Sequence, residues 1–386
     1  MGRAERCDSS LQDCPVRGPI AMEGATSMKS PRFAIVGAGN GGQSFAAHLS
    51  LLGFSVSLWD VEKEKVEALQ RTGRIAASGS VQGEAKIDLI TGDICEASRG
   101  ADVIMVVIPT VYHRSTATAM APALTDGQVI VLNPGATGGA LEVRNTLREA
   151  GVRASVVVAE TDTLLYACRS PRAGEVIVYG VKDHLDVAAL PAAEGSKVAA
   201  LLNVAFPQFK ALPSVLFTSL NNANAMVHPA PTLLNAGRIE CKAPFEYYSE
   251  GVTPSIARVV EKLDEERLAI GRALGVEVSS IHHFYRMSYG VDGANLYEQI
   301  QKVRAYEGIK GPTNLNTRYL FEDIPTGLVP LSCLGNAVDV NTPTMDAVVE
   351  LGSSLLGRDF SAEGRTLDRL GLAGMSPEEI RRALIA

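Results

Sequence analysis

Long apolar runs are missing from this 386-residue chain. None approaches the ~20 residues that a membrane-spanning helix needs, so no membrane partner is expected. A basic excess is missing too. The formal net charge is -7, whereas a nucleic-acid binder presents a basic face, so nucleic acid is excluded as a partner. Cysteine is sparse and scattered, at positions 7, 14, 95, 168, 241 and 333. No two have CxxC spacing, and none joins histidines in a metal-ligand cluster. Reduced thiols in a cytoplasmic protein are therefore expected, with no metal. Residues 1–30 lack the apolar centre of a signal peptide. They are expected to form a disordered extension. No internal repeat and no low-complexity linker breaks the rest of the chain.

What is present is a globular composition, 46% hydrophobic and 20% charged, at a length that suits two domains. Its most informative stretch is Phe33-Ala-Ile-Val-Gly-Ala-Gly-Asn-Gly-Gly42. Phe33 to Val36 suits a central parallel strand buried on both faces. Gly37, Gly39 and Gly42 then fit G-x-G-x-x-G. The first permits a tight turn, the second lets a pyrophosphate approach the backbone, and the third lets helix pack on strand. Unpaired N–H groups at the helix start, Asn40 included, would meet the phosphates. Ser55 to Trp59 reads as the second strand, closed by Asp60. A carboxylate there accepts from a ribose 2′-OH and repels a 2′-phosphate. NAD(H) is therefore favoured, while nearby Lys63 and Lys65 leave NADP(H) admissible.

Strand-like runs recur at Lys86–Ile90, Ala101–Ile108, Gln128–Leu132, Ser155–Ala159 and Glu175–Val181. Helical runs alternate with them, at Glu62–Gln70, Ser115–Leu124 and Leu141–Ala150. Alternation of this kind predicts a doubly wound parallel sheet, an α/β Rossmann domain over 31–213. Its ligands would lie beyond the carboxyl ends of the strands. That places Pro109, Asn133 and Gly135 at the cofactor, and makes Glu160-Thr161 another punctuated site. After about residue 213 helical patterns dominate. Thr253-Pro254 and Thr342-Pro343 open two helices, stopped by Gly275 and Gly357, and Ser376-Pro-Glu-Glu379 has capping-box spacing. An all-helical domain over 214–386 is expected, with the substrate in the cleft between the two.

Hydride chemistry on a carbonyl or imine needs a proton donor, for which histidine is suited. His48 falls inside the first helix, His184 in a polar stretch, and His282 and His283 beside Phe284 and Tyr285; these read as structural or surface residues. His113 follows a strand on the ligand side of the sheet and is one candidate, as a substrate contact. His228 is the stronger, set among amides and prolines in Asn221–Asn235. Prolines and asparagines fix turns and could hold the ring rigidly. A partner carboxylate is needed to orient it, and spacing alone does not choose one. Arg318-Tyr-Leu-Phe-Glu-Asp323-Ile-Pro is the most suggestive segment, since arginine grips a carboxylate through two parallel bonds.

At these residues the chain resembles the octopine/nopaline (opine) dehydrogenase family. The resemblance rests on VGAGNGG at 36–42, NPGATGGALE at 133–142, MVHPAPTLLNAG at 226–237 and RYLFEDIPTGLVP at 318–330. It implies a Rossmann domain joined to a helical domain. It also implies NAD(P)H-dependent, reversible condensation of an amino acid or other amine with a 2-oxo acid through an imine. Carried over by motif, His228 would be the general acid/base, Asp323 its partner, and Arg318 the grip on a substrate carboxylate. Thr137 would lie near nicotinamide and substrate. The partners implied are small molecules, with a homodimer allowed. Two rival readings stand beside it. A ketopantoate reductase or glycerol-3-phosphate dehydrogenase type would use a lysine donor, for which Lys242 and Lys262 are available. A protein that only senses NAD(H) would need neither dyad nor arginine.

Overall fold

The computed structural model describes residues 30–385, so the expectation for residues 1–30 lies almost wholly outside it. The first strands are β1 (Arg32–Val36), β2 (Ser55–Trp59), β3 (Arg74–Gly79), β4 (Gly83–Lys86), β5 (Leu89–Thr91) and β6 (Val103–Val106). Then come β7 (Val129–Leu132), β8 (Val157–Thr161), β9 (Tyr166–Arg172), β10 (Glu175–Val181), β11 (Leu185–Leu190) and β12 (Phe209–Ala211). Eight of them form one sheet in the order β12-β11-β8-β7-β6-β1-β2-β5, and β4-β3-β10-β9 form a second. The order reverses beside β1, between the β1–β2 and β6–β7 halves. That switch point is where an open α/β sheet takes its ligand.

β1 shows why the glycine motif stands where it does. Ala34 and Val36 enter one core and Phe33 and Ile35 the other, all buried. A strand apolar on both faces cannot sit at an edge of the fold. It delivers Gly37 to the middle of the ligand edge.

Two strand expectations need correction. Lys86–Ile90 is broken at Ile87-Asp88 into β4 and β5, which belong to different sheets. Glu175–Val181 is a strand, but it pairs with β3 and β9 in the small sheet. No helix lies between β8 and β11, and parallel neighbours need a long crossover. β11 accordingly returns antiparallel to β8.

The helical half forms as its caps dictate. Thr253 accepts from the Ile256 N–H and Pro254 opens a helix running to Ala273. Ile256, Val260, Leu263 and Ile270 bury one stripe, each fully buried large aliphatic contributing ~1.5–3 kcal/mol. Ser376 and Glu379 exchange the reciprocal bonds of a capping box, at 2.8 and 3.4 Å. One core cluster joins Ile104, Val106 and Leu132 of the sheet to Met226, Leu328 and Leu331 of the helical half. The helix Val215–Leu220 packs against β8 and β11. The described residues from Pro31 onward consequently form one compact unit.

Candidate active site

The glycine loop is built for a phosphate-bearing ligand. Gly37 has φ +108°, and a Cβ there would stand 2.6 Å from the Val107 carbonyl oxygen. A Cβ on Gly42 would stand 1.7 Å from the Gly37 oxygen. Gly37 is therefore demanded by the close approach of the segment after β6, and Gly42 by that of helix and strand. Gly39 differs, with open space where its Cβ would be and no side chain capping the helix Asn40–Leu51 that it begins. The first-turn N–H groups are thus left uncapped by any side chain beside an open cradle, as a pyrophosphate requires. Asn40 is spent within the protein, its Oδ1 accepting from Ser170 N at 2.9 Å. Asp60 is buried. Its Oδ2 accepts from Ala38 N at 2.7 Å and its Oδ1 from Glu62 N at 2.9 Å. The Lys65 ammonium stands 3.3 Å from Asp60 and 3.0 Å from Glu62. Asp60 therefore braces the glycine loop and carries a cation beside it. Pro109 closes the β6 edge, capping a short turn at Thr110–Tyr112. At the end of β7, Asn133 donates to the Val131 oxygen at 2.8 Å, while its own Oδ1 is buried without a partner. An orphaned acceptor costs free energy until a donor arrives, so these residues fit a dinucleotide whose donor groups reach that edge.

The helical half brings His228 and Asp323 together across 95 residues. His228 Nδ1 lies 2.7 Å from Asp323 Oδ2, with both side chains almost buried. Two bare acceptors cannot sit that close, so one proton lies between them. His228 closes the helix Ala223–Val227 and precedes Pro229, whose missing N–H suits the first turn of the next helix. Asp323 opens a π-helical turn at Ile324–Leu328, an irregularity frequent at functional sites. Burial pushes the Asp323 carboxyl up from its ordinary value, and the His228 hydrogen bond works against that. The ring of Tyr319 stacks on His228 at 4.2 Å. With Nδ1–H directed to the carboxylate, Nε2 presents its lone pair away from Asp323, toward the Tyr248 hydroxyl at 3.2 Å.

Arg318 lies one residue from Tyr319, its side chain 64% exposed. Its Nε donates to Glu322 Oε2 at 2.5 Å, which leaves the terminal nitrogens for a ligand. The other Glu322 oxygen accepts from Thr110 N at 2.8 Å. One carboxylate thus links the arginine to the β6 edge of the sheet. A second tie is Arg365, 1% exposed. It donates to Glu142 at 2.7 Å, to the carbonyls of Gly135, Thr137 and Thr110, and to His113 Nδ1 at 3.0 Å. Its backbone N–H donates to the Pro325 oxygen at 2.9 Å. The loops after β6 and β7 are thereby locked to the segment that carries Asp323.

These contacts correct the reading of His113 and show how Thr137 and Gly135 are held. His113 is a buried histidine bonded to Arg365; burial and that guanidinium hold its pKa well below the ordinary value. A neutral ring without solvent access does not reach a substrate. The Thr137 hydroxyl donates to the Ser219 oxygen at 3.0 Å and accepts from Asn222, so its side chain is spent inside the protein. Gly135, expected at the cofactor, is also required by packing, since a Cβ there would stand 2.3 Å from Glu160 Oε2. His48 bonds Tyr166, His184 pairs with Asp186, and His282 bonds Gln299. Lys242 is exposed and Lys262 pairs with Glu265, so neither serves a lysine-donor chemistry. A cleft of about 610 Å³ does open between the helices Gly139–Glu149 and Gly195–Leu202, but neither His228 nor Asp323 lines it. Among the described residues no cluster fit to hold a metal ion is found.

Sequence reasoning missed Glu322, Arg365, Tyr248 and Tyr319. Glu322 and Tyr319 lay within the segment that holds Arg318 and Asp323. Tyr248 stands in a tyrosine doublet in a chain with 10 tyrosines. Arg365 carries no local signal.

Comparison with known proteins shows what the chain is similar to. Residues 211–356 match the family model described as the α-helical domain of NAD/NADP octopine/nopaline dehydrogenase. Residues 32–153 match the N-terminal part of NAD-dependent glycerol-3-phosphate dehydrogenase. The chain is 49% identical to an opine dehydrogenase of Arthrobacter sp. (strain 1C), covering 92% of this chain and 99% of that one. It is 31% identical to protein ocs of Agrobacterium tumefaciens (strain Ach5), with 92% and 99% covered. A solved octopine dehydrogenase with NADH and L-arginine shares the fold, at a TM-score of 0.76 and 22% identity over 92% of this chain and 98% of that one. With 49% identity over nearly the whole of both chains and the helical-domain match at 211–356, the chain belongs to the opine dehydrogenase family of NAD(P)-dependent oxidoreductases acting on CH–NH groups.

Proposed function

We propose that the protein condenses an amino acid or other amine with a 2-oxo acid and reduces the resulting imine, with His228 managing the proton. The reading is carried by the 2.7 Å contact between His228 Nδ1 and Asp323 Oδ2 beside the half-free guanidinium of Arg318. When bound, the nicotinamide dinucleotide supplies the hydride. The uncapped N–H groups after Gly39 hold its pyrophosphate, and Asp60 meets the adenosine ribose. NAD(H) is favoured because the Asp60 carboxylate repels a 2′-phosphate; Lys65, 3.3 Å away, keeps NADP(H) usable.

Arg318 grips the oxo-acid carboxylate through its terminal nitrogens while Glu322 fixes its Nε. Asp323 holds the ring so that Nε2 faces the reacting oxygen and nitrogen. His228 Nε2–H gives its proton to the oxygen that departs as water, and in the reverse direction Nε2 takes that proton back from the attacking water. Residues 31–213 carry the cofactor and residues 214–386 the substrate machinery. The free thiols of Cys95, Cys168, Cys241 and Cys333 suit the cytoplasm. No helix of the described residues is long and apolar enough to cross a membrane.

The test is an NADH-consumption screen pairing pyruvate and related 2-oxo acids with a panel of amino acids, with mass detection of the condensed product. Consumption that needs both components and yields a secondary amine supports the reading. Reduction of the oxo acid alone, at the same rate without amine, overturns it.

A further inference from the structure

We propose that Tyr248 is a second catalytic donor, converging with His228 on the carbonyl oxygen of the 2-oxo acid. This rests on the reading of His228 given above. Tyr248 Oη lies 3.2 Å from His228 Nε2. An oxygen at an ordinary ~2.8 Å from each atom completes a triangle with both. The same point is therefore within reach of two donors, an imidazolium N–H and a phenol O–H.

The phenol is held for that task. Tyr248 is buried, with 7% exposed. Its ring stacks on Tyr306 at 3.7 Å and 13°, and meets Tyr247 edge-on at 4.9 Å. Packing on two sides fixes the direction of the hydroxyl, and a donor fixed beforehand needs no reorganisation when charge develops. Burial also pushes the Tyr248 phenol well above its ordinary value, so it stays protonated. It can donate but does not give its proton away.

The chemistry balances with these two groups. As the amine nitrogen bonds to the carbonyl carbon, the C=O pair moves to oxygen and meets both donors. The proton released by the new ammonium nitrogen passes to that oxygen, which gives a neutral carbinolamine with His228 still protonated. Its C–O bond then breaks, the nitrogen lone pair forms C=N, and the oxygen leaves as water with the proton from His228 Nε2. Tyr248 holds that oxygen throughout and ends unchanged. Its effect falls on addition and dehydration, before hydride reaches the carbon.

The test compares Tyr248→Phe and His228→Ala with the unaltered enzyme, using NADH with or without deuterium at the transferred position. Tyr248→Phe removes one oxygen and keeps the ring on Tyr306, and unchanged NADH affinity and melting temperature check the fold. Turnover should fall by roughly 10²-fold, as for loss of one donor to a developing oxyanion. The hydride isotope effect should be no larger than that of the unaltered enzyme, because the slowed steps precede hydride transfer. Unchanged turnover, or a loss accompanied by a larger isotope effect, would overturn the assignment. Full activity of His228→Ala would instead overturn the reading on which it rests.

Discussion

Replacing Asp323 by asparagine tests the centre of the site with almost no change in volume. In the native pair the carboxylate accepts the Nδ1 proton at 2.7 Å, and both side chains are almost buried. Two losses follow from the substitution. An asparagine can turn its amide N–H toward Nδ1, which leaves the proton on Nε2 and removes the acceptor that the reverse reaction needs. The negative charge that stabilises an imidazolium also goes. At ~4 Å and an effective dielectric constant of ~20 that attraction is worth about 4 kcal/mol. The cost of burying the carboxylate, the largest influence on its own pKa, offsets part of it. A net loss of ~3–4 kcal/mol corresponds to a fall in kcat of about 10²–10³-fold. The assay is steady-state NADH oxidation with an accepted amine and oxo-acid pair, alongside NADH affinity from protein fluorescence. Cofactor affinity should not change, because Asp60 and the glycine loop lie on the other half. A variant that binds NADH and turns over at the native rate would refute the dyad.

Four further outcomes follow. Arg318→Lys keeps the charge but replaces a fork by a point donor, so KM for the oxo acid should rise by roughly tenfold or more, with a smaller change in kcat; equal KM values would remove Arg318 from the substrate. Lys65→Met should lower kcat/KM for NADPH relative to NADH by about tenfold, the value of one charge-assisted bond to phosphate, and an unchanged ratio would show that Lys65 only pairs with Asp60. Arg365→Met strands Glu142 and its carbonyl partners in the core, and should cost ~3–5 kcal/mol in denaturant unfolding, against near-neutrality if the tie were dispensable. Asp162 is pushed from 3.8 to about 6 by burial and then by Asp186. A raised carboxyl stabilises the fold below its unfolded pKa and loses that contribution as pH rises through its folded one. The loss is at most ~3 kcal/mol, reduced by the partial exposure of the side chain. Asp162→Asn should accordingly gain stability over the native chain as pH rises from 4 to about 7, and parallel melting curves across that range would contradict it.

Local order carried much of the design. The glycine spacing, the apolar β1 and the acid after β2 are properties of short segments, because tight turns, two-sided burial and hydrogen-bond reach act within a few residues. The same holds for the caps at Thr253, Thr342 and Ser376, although Thr342 turned its hydroxyl to Ser332 at 3.2 Å instead of capping its helix. His228 and Asp323 could be named from their motifs, but nothing in their spacing of 95 residues states that they touch.

Tertiary structure decided the rest, since it depends on which surfaces meet. His113 looked accessible from its place after a strand, and burial against Arg365 closed it off. Thr137 had the right loop but spent its hydroxyl on Ser219. The strand at 175–181 had the right period, and only its partners revealed that it lies in a second sheet. Glu322 gained its role by reaching Thr110 on a segment 212 residues away. Short-range stereochemistry and hydrophobic period are written in the order of residues, whereas a side chain's final partner is set by the packing of distant segments, a free-energy balance that no single stretch of sequence contains.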